Sequence, residues 1–418
     1  MQEYNLTSAQ EKCLRDQSIT DDQPGTVLRD FRMLLDFLGP EGVETGGKYN
    51  LLPMKFIDEL DSRLSRPLVL KMKRPQIRSH PYLQGLNLLL RSSGLSGVEG
   101  IGNKSRLVLD PAMRMQWDGL NPTEQYFNLL EAWLRFGRAE MVGEQSKGWG
   151  GDLLSECLPT WKYLPEKGSR FDLERPQEAY LYGIGRSFYL LALMDLFGLL
   201  EVKQPRRPIT GWSPASVNHV PFGDAVLTRL ASWFLPGLRR DSSPEEDEDQ
   251  EEGASMVPRF GVWQPLFQPY FPEWRVNLEL PISETREGTF IFRVSLGEVW
   301  RLIAMPADDT LDDLVAWILR SVKFDRDHLY RFIYRDRMGA TAAANDPEMD
   351  EGPWADQIPI GTLPLEPGQT MELRYDFGDN WEFRVKLERI ESPDAKVKVP
   401  AILEKHGKSP EQYPRWED

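Results

Sequence analysis

The chain has 418 residues, 40% of them hydrophobic and 11% aromatic, and a net charge of −15. That length exceeds one ordinary core, so two or three domains are expected, and the acidic balance argues against a chain that coats nucleic acid or anionic membrane over its whole surface. With Cys13 and Cys157 as the only cysteines, a disulfide framework and a cysteine-based zinc site are excluded.

The opening residues lack the basic-then-apolar pattern of a signal peptide. The most apolar run, Phe188 to Leu200, is interrupted by Asp195 and is too short to span a bilayer. A reducing cytoplasm with no membrane contact is the expected setting.

Residues 1–24 are polar and expected to fray. From Thr26 to Leu38, Val27, Leu28, Phe31, Leu34, Leu35 and Leu38 fall on one helical face, and Gly39-Pro40 stops the helix. Pro53 opens a second helix with Phe56, Ile57, Leu60 and Leu64 inward. The stretch from Ser62 to Arg106 then holds nine Lys or Arg and a single acid, Glu99, which is the sharpest charge asymmetry in the chain.

Within it, the spacing predicts a helix over Pro81–Ser93 ending at Gly94, a short strand near Leu95–Val98, a loop, and a strand over Arg106–Leu109. Asn121-Pro122-Thr123-Glu124 reads as a capped helix start, and residues 141–170 as irregular. The pattern recurs. Leu86, Gly94, Leu95, Val98 and Pro111 align with Leu190, Gly198, Leu199, Val202 and Pro221. Two winged-helix-like units, at about 53–137 and 175–235, are therefore expected inside a helical half spanning 25–240.

If Pro81–Ser93 is a recognition helix, Gln84, Asn87 and Arg91 share one face and can read base edges. Lys71, Lys73, Arg74 and Arg78 would contact phosphates. The bland alternative is a solvated basic face. The second copy's helix is apolar nearly all round, so it is expected to be buried.

Residues 241–252 carry eight acids and no apolar side chain, so 241–254 reads as a disordered linker and the domain boundary. Beyond it, 255–418 should form a mixed β-sheet with one packed helix, resembling a β-grasp, which makes the whole chain α+β. Strands are expected at Trp274–Leu280, Thr289–Leu296, Val299–Met305 and Leu329–Tyr334, a helix capped by Thr310, and a polar loop at Ala340–Gly352. A hairpin over Leu373–Ile390 follows, turning at Asp376-Phe377-Gly378-Asp379-Asn380, with Gly378 expected to supply a positive φ.

Trp300-Arg301, Pro306-Ala307-Asp308, Asp327-His328-Leu329, Phe332 and Tyr375-Asp376-Phe377-Gly378-Asp379 with Trp381 occur in this order. Together they resemble the plasmid pRiA4b ORF-3-like domain over about 270–416. That resemblance implies an α+β fold and an association with plasmids and mobile elements. Tyr330 stands where members often have a second His after His328, and the C-terminal region lacks the Cys of many members.

Asp376, Asp379 and His328 are the candidate catalytic or metal-binding set, because two carboxylates and an imidazole can bind a divalent ion or transfer protons. The alternative is that the carboxylates bond turn amides and His328 pairs with a neighbouring acid. No phosphate loop, GxSxG or HExxH pattern is present. The sequence therefore points to a non-enzymatic, DNA-binding regulator without a cofactor, contacting DNA through 62–106. A protein-interaction scaffold or homodimer and a metal-dependent enzyme are the alternatives.

Overall fold

The computed structural model describes residues 5–47, 49–68, 70, 72, 74, 76–100, 105–144, 153–171, 188–205, 212–240, 259–281, 285–392 and 399–413, with side chains of 235–240 excepted. The expected linker at 241–254 lies outside them. The chain forms two compact units, Met1–Leu280 and Pro281–Asp418. The division thus falls at Leu280 and not at the acidic stretch.

The first unit opens with α1 (Ser8–Asp16), where fraying was expected. Thr7 and Gln10 form a capping box and Leu14 is buried. Helix α2 (Val27–Leu38) buries its predicted stripe and ends at Gly39. Then come β1 (Val43–Glu44), α3 (Met54–Arg63), α4 (Pro81–Ser92), β2 (Ser96–Glu99) and β3 (Arg106–Leu109), with strand order β1-β3-β2. Helices α5 (Pro111–Gly119) and α6 (Pro122–Glu131) follow. The Asn121–Glu124 capping box forms as the sequence predicts.

The series then repeats as α7 (Leu153–Tyr163), β4 (Ser169–Arg170), α8 (Phe188–Leu196), β5 (Leu200–Lys203), β6 (Ser216–His219) and α9 (Pro221–Arg240), with strand order β4-β6-β5. Gly94 and Gly198 occupy equivalent turns at φ 73° and 68°, while Pro111 and Pro221 open the next helix in each copy. Helix α7 replaces the irregular stretch expected there. Its internal Pro159 and Gly-rich approach concealed it.

Helices α4 and α8 pack on each other closely enough that a Cβ on Gly85 would lie 2.7 Å from Leu193 Cγ. Across the same contact Tyr82 donates to Asp195 at 2.9 Å.

Residues 259–280 complete this unit and form no strand. They contain one short helix, α10 (Gln264–Phe267), and bury Trp263, Phe267, Phe271, Trp274 and Leu278. The Trp274 ring stacks on Phe127 at 4.5 Å. Side chains of α6 take the amides a strand partner would have taken. Glu124 accepts from Arg275 and Val276, and Asn128 from Leu278. Just beyond, Glu131 accepts from Gly261 and Trp263. This is why the strand expected at Trp274–Leu280 is absent: buried amides must be satisfied, and here side chains do it.

The second unit is a seven-stranded sheet in the order β10-β9-β11-β12-β7-β8-β13. Its strands are β7 (Thr289–Leu296), β8 (Val299–Pro306), β9 (Tyr330–Arg335), β10 (Thr341–Asn345), β11 (Thr370–Tyr375), β12 (Trp381–Glu391) and β13 (Ala401–His406). Every pairing is antiparallel, so the expected mixed sheet is corrected while the α+β class stands. Helix α11 (Leu311–Val322), capped by Thr310 and Asp313, buries Leu314, Val315, Ile318 and Leu319 among Phe290, Phe332, Leu373 and Phe383. Strand β10 lies where a polar loop was expected. Its Thr-Ala-Ala-Ala-Asn sequence has little β-propensity and is held by pairing to β9. Among the described residues no helix is long and apolar enough to cross a membrane.

Candidate functional site

The site lies at one end of the sheet, where β11 and β12 turn and the chain enters β9. Strand pairing sets Leu373 opposite Phe383 and Tyr375 opposite Trp381. The turn does not use Gly378 for its positive φ. Asp376 (57°) and Asn380 (52°) adopt the left-handed region instead, which Asp and Asn tolerate through local side-chain bonding. Asp376 Oδ1 accepts from the amides of Gly378 at 2.9 Å and Asp379 at 3.3 Å. The Asp376 amide in turn donates to the Leu329 carbonyl at 3.0 Å, tying the turn to the start of β9.

That tie brings His328 over the turn. Its Nε2 lies 3.4 Å from Asp376 Oδ2, 3.8 Å from Asp327 Oδ1 and 3.2 Å from the Tyr413 hydroxyl. Tyr413 donates to Asp327 Oδ2 at 2.6 Å, and Tyr375 to the Asp325 carbonyl at 2.6 Å. Gln412, nearly buried, accepts from the Asp325 amide at 2.6 Å and donates to Asp327 Oδ1 at 3.1 Å. The Tyr413 hydroxyl holds the Asp327 carboxyl below the usual carboxylate range. The same bond pushes the Tyr413 phenol up.

Of the predicted trio, the structure joins His328 and Asp376. Asp379 gives its amide to the turn, but its carboxylate makes no hydrogen bond or ion pair among the described residues. Asp327 takes its place beside His328. It stood within the Asp327-His328-Leu329 motif, whereas nothing in the sequence pointed to Gln412 and Tyr413 across more than eighty residues.

No group of three or more His, Cys, Asp or Glu side chains among the described residues is arranged to hold a metal ion. The oxygens of Asp327 are already engaged by Tyr413, Gln412 and Tyr375. Around these satisfied polar groups, Leu329, Phe377 and Tyr413 are 37%, 48% and 50% exposed.

The other motif residues are structural. Arg301 is buried and donates to the carbonyls of Ser321, Trp300 and His406 and to Ser409 Oγ. Trp300 stacks on His406, and Trp381 packs edge-on against Phe324.

The basic stretch is arranged differently from the expectation. Gln84, Asn87 and Arg91 are 2%, 0% and 4% exposed. They cannot read base edges, because α4 is buried on every side, with α8 against one face. Gln84 donates to Glu144 at 3.0 Å and Arg91 to the Asn50 carbonyl at 2.7 Å.

Other cations of the stretch are also engaged. Arg63 pairs with Glu59, Arg66 with Asp195, and Arg106 with the Glu41 and Gly42 carbonyls. Arg74 and Arg78 are exposed. Lys71 and Lys73 lie outside the described residues.

Residues 291–413 match the model of the family described as plasmid pRiA4b ORF-3-like protein. A crystal structure of a protein of unknown function from Methanosarcina mazei Go1 is 22% identical. The likeness covers 30% of this chain and 72% of that one, at a TM-score of 0.27. Among curated proteins there is no match.

Proposed function

We propose that this chain, whose residues 291–413 carry the plasmid pRiA4b ORF-3-like signature, is a non-enzymatic cytoplasmic interaction protein of mobile elements. In this reading the sheet unit binds a protein partner through the end bearing His328. The observation that carries it is the pairing of satisfied acids with exposed apolar groups. Asp327 and Asp376 are bonded to neighbouring donors, while Leu329, Phe377 and Tyr413 face solvent around them. A carboxylate acting as nucleophile, general base or metal ligand needs a free oxygen, whereas an interface core needs exposed aromatic area beside oriented polar groups.

The N-terminal unit fits a scaffold role. The order helix–strand–helix–strand–strand in the second copy, the same order with the additional helix α3 in the first, and the matching strand orders β1-β3-β2 and β4-β6-β5 support a tandem winged-helix reading.

The test is a photo-crosslinking residue at position 377 in cells, with position 115, also exposed, as control. A discrete adduct at 377, absent at 115 and lost with Leu329→Asp, supports the proposal. Equal labelling at both positions, or none at 377, removes it.

A second reading keeps DNA, through phosphates only, because Arg74 and Arg78 are exposed on the basic stretch. Binding to duplex DNA should then weaken steeply with salt, and less steeply once both are Ala. Absence of binding at low salt ends that reading.

A further inference from the structure

Helix α11 covers one face of the seven-stranded sheet, where Phe332, Leu373, Val385 and Val294 join its core. Residues that alternate with these point to the other face. There stand Arg331 of β9, Arg374 of β11, Arg384 and Lys386 of β12, and Arg293 of β7. In a chain of net charge −15 these five cations share four adjoining strands.

The strand register sets like charges side by side. Arg374 lies directly opposite Arg331, and Lys386 directly opposite Arg293. Like charges so placed destabilise a sheet. The acids of this face offset only part of the charge. Arg374 pairs with Glu372 and Glu382, and Lys386 with Glu388. Arg331 instead bonds Asn345 Oδ1, and Arg293 lies 4.3 Å over the Trp300 ring. Arg384 is exposed and makes no side-chain hydrogen bond or ion pair among the described residues.

The same registers put Arg331, Arg384 and Arg293 on a diagonal across β9, β12 and β7. With strands about 4.8 Å apart and alternate residues about 7 Å apart along each, successive members are about 8–12 Å apart. Beyond Arg293, the Trp300 ring stacks on His406 at 5.4 Å, and His406 is exposed on the edge strand β13.

Two kinds of group therefore lie along one track. A guanidinium binds phosphate through two parallel N–H···O bonds, and an exposed aromatic ring accepts a base on its face. A flat sheet face without a helix also admits an extended chain. An acidic peptide would meet the charge but would leave the ring unused.

We propose that this face of the sheet binds single-stranded nucleic acid, with Arg331, Arg384 and Arg293 at its phosphates and His406 stacked on a base. The site uses none of the residues of the His328 end, nor Arg74 and Arg78, and does not depend on the function proposed for them.

The test is fluorescence anisotropy of labelled oligothymidine with the full-length protein across a salt series. Wild type should bind, and more weakly as salt rises. Arg384→Glu should weaken binding about tenfold or more, the worth of one charge-assisted bond. His406→Ala should cost at least about fivefold through lost stacking. Arg320→Glu makes the same charge change at an exposed position of α11 and should leave binding unchanged. So should Arg74→Ala combined with Arg78→Ala.

Four results would overturn the proposal. One is no binding at low salt, and another is an equal loss in Arg384→Glu and Arg320→Glu. A third is loss confined to the Arg74 and Arg78 variant, which would move the contact to the first unit. The fourth is polyglutamate displacing the oligonucleotide as well as unlabelled oligothymidine does, which would make the face a dock for an acidic peptide.

Discussion

Gly85→Ala tests the packing of α4 against α8 through the sign of its effect. In an exposed helix interior this change stabilises by about 1 kcal/mol, because glycine loses more backbone freedom on folding. Here the added methyl would sit 2.7 Å from Leu193 Cγ and 3.0 Å from its Cδ2, and Leu193 is fully buried. Cγ is not the free end of the side chain, so the leucine cannot swing clear without disturbing its own neighbours. Overpacking of this kind costs about 1–3 kcal/mol. The net expectation is a loss of about 0–2 kcal/mol.

Leu193→Ala alone should cost about 2–5 kcal/mol through lost burial and a cavity. The double variant should recover part of this, because the methyl added at position 85 enters the vacated space, with a coupling of about 1–2 kcal/mol. Urea unfolding of the four proteins of the cycle measures each term. A stabilised Gly85→Ala with no coupling to Leu193→Ala would refute the buried contact and restore α4 as a free surface helix.

Other consequences follow from named groups. Burial pushes the Asp195 carboxyl up to about 6, against its ordinary value of 3.8. Because the folded value lies above the unfolded one, the stabilisation from its neutral form is complete below about pH 3.8. It is lost as pH rises through about 6, a change of about 3 kcal/mol. Asp195→Asn should flatten that part of the stability profile between about pH 4 and 7; urea midpoints with the same pH slope as wild type would count against it. Tyr413→Phe removes the donor to Asp327, so the Asp327 carboxyl should rise toward the usual carboxylate range in a carbon-detected NMR titration; an unchanged midpoint would show that the bond is not formed in solution. Arg301→Ala strands carbonyls of Ser321 and His406 that the guanidinium satisfies and should cost about 3 kcal/mol by chemical denaturation. A loss within about 0.5 kcal/mol, as at an ordinary surface site, would contradict its role in pinning β13 to β8.

Local signals carried far in this chain. The Asn121–Glu124 and Thr310–Asp313 capping boxes, the stripe of α2 and the hairpin of β11 and β12 are set by neighbours within a few residues, and periodicity displays them. The internal repeat was legible for the same reason, since Gly94 and Gly198 end equivalent helices with positive φ. The candidate site was half legible. His328 and Asp376 stood in short motifs, but Asp327 became their partner in place of Asp379 because the Asp376 amide bonds Leu329 and turns the start of β9 over the hairpin.

The sequence by itself determined the helical and sheet-forming halves, the caps, the turn and the apolar faces, because these rest on short-range geometry and on which side chains avoid water. The tertiary structure decided which face met which. It turned a helix with a polar stripe into the buried partner of α8, placing Gln84, Asn87 and Arg91 against interior acceptors and neighbours. It withdrew Trp274–Leu280 from the sheet, because Glu124 and Asn128 of α6 satisfy its amides and Phe127 stacks on its tryptophan. Burial, amide satisfaction and ring packing across more than a hundred residues of chain have no period in the sequence, so only the folded chain displays them.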